Sequence, residues 1–218
     1  MIKGAIFDLD GTLLDSTGVW GQIDIDFLGK HGHEVPPDYV EIITPMTFEE
    51  TAIYTIERFH LSATPEEVMA EWNEMAYEAY ANQVKIRAGT KEVLAWLQEQ
   101  GIPAGVATSN IAPLFEPCLR RNGIYDYFHS FTETKEVERG KESPDIYIKA
   151  AEKLGCAPSE CVVFEDILPA MKSAKKGGFI TIGVRETTWN YEPEVLKGCC
   201  DYFIEEIHDA LVLLNRLK

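Results

Sequence analysis

Asp8 and Asp10 stand two residues apart at the end of an apolar run, in AIFDLDGT (residues 5–12), with Gly11 directly after them. Two carboxylates at that spacing can divide a group transfer between them, one as nucleophile and the other as proton donor and acceptor. Like charges this close cannot all ionise without a counter-charge. A divalent cation supplies one. Mg²⁺ is the natural guest, being a hard ion that takes oxygen ligands, keeps waters and accepts substrate phosphate. Three further clusters carry matching chemistry. Thr108, Ser109 and Asn110 offer hydrogen-bond donors, Lys141 follows Gly140, and Glu165 and Asp166 close the run CVVFED (161–166). Lys141 can balance an anionic ligand, and Gly11 lets backbone amides approach a phosphate closely. With the metal in place Asp8 can attack a phosphoryl group. Asp10 then has the leaving oxygen within reach as an acid, and afterwards water as a base.

These clusters are far apart along the chain, so the fold must gather them. Residues 2–8 read as a β-branched and aromatic strand, whereas residues 16 to about 82 show only helical periods. In the first helical stretch Trp20, Ile23 and Phe27 share a face, and Gly32 lies just past its end. A second helix is expected from Thr47, with Glu50 at capping-box spacing and Phe48, Ala52, Ile56 and Phe59 on one stripe. A third is expected from Thr64, with Glu67 as box partner, Pro65 at the first helical position, and Val68, Trp72, Met75 and Ala79 as its stripe. Trp20, Phe48 and Trp72 are expected mostly in the core of this bundle, with one or two facing substrate. His31 and His33 are read as a helix C-terminal turn, since no further metal ligand lies near them.

From about residue 86 strands alternate with helices, the strands being near-continuous apolar runs at 102–108, 129–132, 161–166, 179–184 and 201–204. That pattern argues a parallel sheet covered on both faces. Ligands of such a sheet sit at the carboxyl ends of its strands, which is where Asp8–Asp10, Thr108–Asn110 and Glu165–Asp166 fall. The expected organisation is an α/β core of residues 1–14 and 86–218, with a helical cap of residues 15–85 inserted after the first strand.

Composition narrows the partners. The 218 residues hold 20 Lys+Arg against 36 Asp+Glu, a formal charge of −16. Such a surface repels phosphate backbones and anionic lipid, so neither nucleic acid nor membrane is an expected partner. A metal, one lysine and backbone amides would make a local positive site in that negative surface. Asp8, Asp10 and Asp15 occupy the place where a signal peptide needs an apolar run, which predicts a cytoplasmic protein. The five cysteines form no CxxC pair and are expected as free thiols. A monomer or weak homodimer is expected.

In order and spacing, DLDGT (8–12), ATS (107–109), GKESPDIY (140–147) and VFED (163–166) resemble the motifs of the haloacid dehalogenase superfamily. The branch resembled carries a helical cap after the first strand. The resemblance implies a Rossmann-like core, Mg²⁺ dependence and an aspartyl-phosphate intermediate. It implies Asp8 as nucleophile and metal ligand, and Asp10 as acid/base with its carbonyl on the metal. Thr108, with Ser109 and Asn110, is implied as the phosphate binder, Lys141 as charge stabiliser, and Asp166 with Glu165 as remaining metal ligands.

Glu142 stands after Lys141 where the family often has proline; the lysine itself is retained. The chain is also similar to β-phosphoglucomutases. There, a histidine after the first motif and an arginine in the cap handle the sugar phosphate. Here those stretches read STGVWGQ and TPMTFEE. A phosphatase acting on a small organic phosphomonoester, such as a sugar phosphate, is therefore favoured over a phosphosugar mutase. A non-catalytic phospho-acceptor or binding module is the third reading, although a switch needs neither Asp10 nor an inserted cap.

Overall fold

The computed structural model describes residues 1–43, 46, 48–186 and 193–218. In chain order the elements begin β1 (Gly4–Phe7), β2 (Leu14–Asp15), α1 (Val19–Lys30), α2 (Tyr39–Ile43), α3 (Phe48–Phe59) and α4 (Pro65–Asn82). There follow β3 (Lys85–Ile86), α5 (Thr90–Glu99), β4 (Ala104–Thr108), α6 (Ala112–Arg121), β5 (Phe128–Glu133) and α7 (Asp145–Leu154). The chain ends with β6 (Cys161–Glu165), α8 (Leu168–Lys176), β7 (Ile180–Val184), α9 (Pro193–Lys197), β8 (Tyr202–Ile204) and α10 (Ala210–Leu217). Two compact units result, Met1–Ser16 with Val84–Lys218, and Thr17–Gln83.

The first unit is built on a six-stranded sheet in the order β5-β4-β1-β6-β7-β8, parallel throughout. This is the α/β architecture expected from the sequence. Every residue of β1, β4 and β6 is buried, which is why these strands are apolar without alternation. The face under α7 is closed by Ile146, Tyr147, Ala150 and Ala151 of that helix, packed with Ile6, Ala107 and Val163 of the sheet. β1 lies between β4 and β6. The strand order reverses there, so the ends of these three strands flank the crevice where such sheets bind ligands. A two-stranded antiparallel ribbon pairs Leu14 with Ile86 and Asp15 with Lys85. Strands this short carry no period, and the sequence does not announce them.

The Thr17–Gln83 unit is helical. The capping box at the start of α4 forms as expected: Glu67 N–H donates to Thr64 Oγ1 at 3.3 Å, and Thr64 N–H donates to Glu67 Oε2 at 2.8 Å. The box expected at Thr47 lies outside the described residues. The stripe of α4 is Val68, Trp72, Ala76 and Tyr80, a strict i+4 line, rather than one through Met75 and Ala79. Trp72 packs on Phe27 and on Phe48, with ring centroids 5.4 and 5.5 Å apart. Of the three aromatics expected mostly in the core, Trp72 is buried, whereas Trp20 and Phe48 are 41% and 39% exposed and meet edge to face. His31 stands at the C-cap of α1 against the ring of Phe27, with no metal cluster at His31 or His33 among the described residues. All five cysteines are free. No helix among the described residues is long and apolar enough to cross a membrane.

Asp24 lies within the Trp20–Ile23–Phe27 stripe of α1, and burial raises its carboxyl to a pKa of about 6. A raised folded-state pKa means the folded state holds that proton more tightly. Its stabilising effect is complete below about pH 3.9 and is lost as pH rises through 6. Discounted for its partial exposure, ionised Asp24 costs about 1 kcal/mol at neutral pH. Asp24→Asn is accordingly expected to raise Tm at pH 8 and to leave it unchanged near pH 4, by paired thermal melts. A constant offset at both pH values would refute the assignment.

Candidate active site

Asp8 follows β1, and its N–H donates to the Phe164 carbonyl of β6 at 3.1 Å. The chain then folds into a tight turn in which Thr12, Leu13 and Leu14 N–H all donate to the Leu9 carbonyl. Gly11 has φ +83°, a left-handed conformation that favours glycine, and this explains the Asp-Gly order. The turn leaves Asp10 beside the end of β4. Its carboxylate accepts from Asn110 Nδ2 at 2.9 Å and from Ser16 Oγ at 2.6 Å. Thr108 Oγ1 is buried and accepts from Asn110 N–H at 3.0 Å, while Ser109 is exposed.

A second group surrounds Asp8. Lys141 Nζ donates to Asp8 Oδ1 and, at 2.5 Å, to Glu165 Oε1. Tyr147 O–H donates to the same Glu165 oxygen at 2.6 Å, and Thr12 Oγ1 donates to Asp166 Oδ1 at 3.2 Å. Asp8, Glu165, Asp166 and Lys141 are all buried. One oxygen from each of the three acids lies within 4.8 Å of the others. Burial pushes the Asp8 carboxyl well above the ordinary carboxylate range; Lys141 pulls it back, and Glu165, Asp166 and Asp10 push it up again. Burial also works against the charge of Lys141, but Asp8 and Glu165 outweigh it and hold the ammonium above its usual value. Burial and Glu165 keep the Tyr147 phenol protonated, hence a donor.

This donor set fits a hard divalent cation. Three buried carboxylates meet one ammonium, and Glu165 Oε2 is buried without a hydrogen-bond partner. An unpartnered carboxylate oxygen in that position is costly unless a cation takes it up. The Asp10 carboxylate is held by Ser16 and Asn110.

The predicted residues therefore fall into two adjoining sets. One is Asp8, Lys141, Glu165 and Asp166; the other is Asp10, Thr108 and Asn110. Ser109 makes no described contact with either. Sequence reasoning assigned nothing to Tyr147, Thr12, Ser16 or Arg87. Tyr147 and Thr12 lie inside the quoted motifs. Ser16 and Arg87 carry no signal of their own, because their partners are decided by the turn and the ribbon.

Residues 5–184 match the family model described as haloacid dehalogenase-like hydrolase. Hexitol phosphatase A of Escherichia coli (strain K12) is 30% identical over 184 residues, covering 84% of this chain and 82% of that protein. A bifunctional riboflavin kinase/FMN phosphatase of Arabidopsis thaliana is 29% identical over 180 residues, 82% of this chain and 47% of that protein. The chain thus spans about half the length of the Arabidopsis relative. A Thermotoga maritima crystal structure that carries a beta-phosphoglucomutase assignment superposes with TM-score 0.87 at 23% identity, covering 100% of both chains. At that identity the likeness speaks for the fold alone.

Proposed function

The chain belongs to the haloacid dehalogenase-like hydrolases and is a phosphatase of small phosphate esters, and from that premise we propose a Mg²⁺-dependent phosphomonoesterase working through a phosphoaspartate on Asp8. The observation that carries this reading is the buried Asp8–Lys141–Glu165–Asp166 cluster set beside a separately held Asp10. The two carboxylates of the DLD motif thereby have different surroundings and different work.

Asp8, Glu165 and Asp166, with the Asp10 carbonyl, would hold the metal. When bound, it offsets the repulsion between an anionic nucleophile and an anionic phosphoryl group. Lys141 orients Asp8 and carries positive charge toward the transferring group. Thr108, Ser109 and Asn110 receive the phosphoryl oxygens; the Gly11 and Thr12 amides, expected there from the sequence, are taken up by the Leu14 and Leu9 carbonyls of the turn. An Asp8 carboxylate oxygen attacks phosphorus, the ester P–O bond breaks, and the leaving alkoxide takes the proton of Asp10. Water then attacks the phosphorus of the acyl phosphate and gives a proton back to Asp10. Inorganic phosphate leaves and the Asp8 carboxylate is restored. Asn110 and Ser16, both on the Asp10 carboxylate, hold it in place for this exchange.

The helical insertion (residues 15–85 by sequence) is read in this proposal as a cap, and it carries an exposed Trp20–Phe48 pair. A small, uncharged sugar or polyol moiety is the proposed leaving group, in keeping with the hexitol phosphatase among the relatives. The mutase reading is not favoured: relatives near 30% identity are phosphatases by name, and an exposed tryptophan stands near the place of the mutase histidine.

Phosphate release from a panel of sugar, polyol and nucleotide monophosphates tests the reading. After dialysis against EDTA, turnover is expected to be absent and to return with Mg²⁺. Full activity in EDTA, or wild-type release no greater than that of Asp8→Asn across the panel, would overturn it.

A further inference from the structure

We propose that Arg87 is a positioning residue for this hydrolysis, tying the turn that carries Asp10 and Thr12 to the end of β7 through its guanidinium. The inference rests on the phosphatase reading above. Arg87 directly follows β3, and its side chain is largely buried at 16% exposure. Nη1 donates to the Gly11 carbonyl. Nη2 donates to the Arg185 carbonyl at 2.7 Å, and the Glu186 carboxylate lies 3.6 Å from Nη1. In the sheet, β6 lies between β1 and β7, so this tie spans the strand whose end carries Glu165 and Asp166.

The same short segment holds the rest of the turn. Arg87 N–H donates to the Leu13 carbonyl at 2.8 Å, and Thr90 Oγ1 donates to it at 3.4 Å. Gly11 sits at φ +83° between two functional neighbours. On one side Asp10 faces Asn110 and Ser16; on the other Thr12 donates to Asp166. The turn's own hydrogen bonds engage the Gly11 and Thr12 amides, and Arg87 adds the anchor on the Gly11 carbonyl itself, at a residue type with wide conformational freedom. If that carbonyl swings, Asp10 and Thr12 move with it. A misplacement of about 1 Å at a reacting group can cost about 10²-fold in rate.

The task needs a guanidinium. Two carbonyls and a carboxylate are met at once by a rigid planar fork, which the compact ammonium of lysine cannot reproduce. A staple for the fold alone would be worth Tm and nothing more. A positioning role shows instead in kcat at temperatures where the variant is fully folded.

The test compares wild type, Arg87→Ala, Arg87→Lys and Asp8→Asn as full-length chains, using the best ester of the panel with Mg²⁺. Melting curves accompany steady-state kinetics. Arg87→Ala is expected to lose about 10–100-fold in kcat with KM within threefold, and Arg87→Lys to recover only part of it. Methylguanidinium at low millimolar concentration should raise kcat of Arg87→Ala severalfold and leave wild type unchanged. Should Arg87→Ala not fold, the kcat deficit of folded Arg87→Lys carries the test. A kcat within twofold of wild type in every folded variant overturns the proposal, as does a loss confined to Tm. Wild type no faster than Asp8→Asn would instead overturn the phosphatase reading itself.

Discussion

Asp8→Asn is expected to lower kcat on the order of 10⁴-fold or more while leaving the protein folded. The substitution keeps the shape of the side chain and removes only the attacking oxygen's charge. What remains is Lys141 facing Glu165, still an ion pair, with Tyr147 on the same oxygen. The charged form of Asp8 is opposed by burial and by three nearby acids. A neutral amide therefore relieves the metal-free fold, and Tm in EDTA is expected to hold or rise. Loss of turnover with unchanged or higher Tm separates a lost nucleophile from a lost fold. Residual activity above about one hundredth of wild type would mean that the attacking group is elsewhere.

Lys141→Met should have the second-largest effect, and on both stability and rate. Methionine keeps much of the buried stem and removes the cation. Asp8 and Glu165 would then share a buried space with Asp166 and have lost their ammonium donor. Removing one partner of a buried ion pair costs about 3–5 kcal/mol. That destabilisation is expected in urea unfolding in EDTA. Mg²⁺ should return part of it, so the Mg²⁺-dependent rise in Tm should exceed that of wild type. kcat is expected to fall at least about 10²-fold, since a charge directed at the developing anion is gone. Unchanged stability in EDTA would contradict the geometry of the cluster. An equal Mg²⁺ effect in variant and wild type would contradict the cation site.

Much of this arrangement was legible before any coordinates, for a physical reason. Strands buried on both faces must be apolar throughout, so an acid at the end of one stands out. Asp8, Glu165 and Asp166 were visible on that ground, and the parallel order β4-β1-β6 then brings their strand ends together. The cap at Thr64 was legible because a capping box is a local pattern of four residues. Burial within the helical unit was less so. Trp20 and Phe48 fit a helical stripe by spacing, but an amphipathic stripe does not say where its edge meets solvent. The five-residue helix at 39–43 and the β2–β3 ribbon are too short to show a period. The partners of Arg87 and Tyr147 arise only when segments 76 and 18 residues away fold against them. No spacing rule reaches that far.

Trapping the covalent intermediate bears most directly on the central claim. Wild type turning over its best phosphate ester with Mg²⁺ would be quenched with borohydride, which reduces an acyl phosphate to an alcohol, and the peptide spanning residue 8 analysed by mass spectrometry. Asp8 is expected to appear as homoserine only when substrate is present. The signal should be absent in Asp8→Asn. Active wild type with no modification at residue 8, or modification at another carboxylate, would contradict the account.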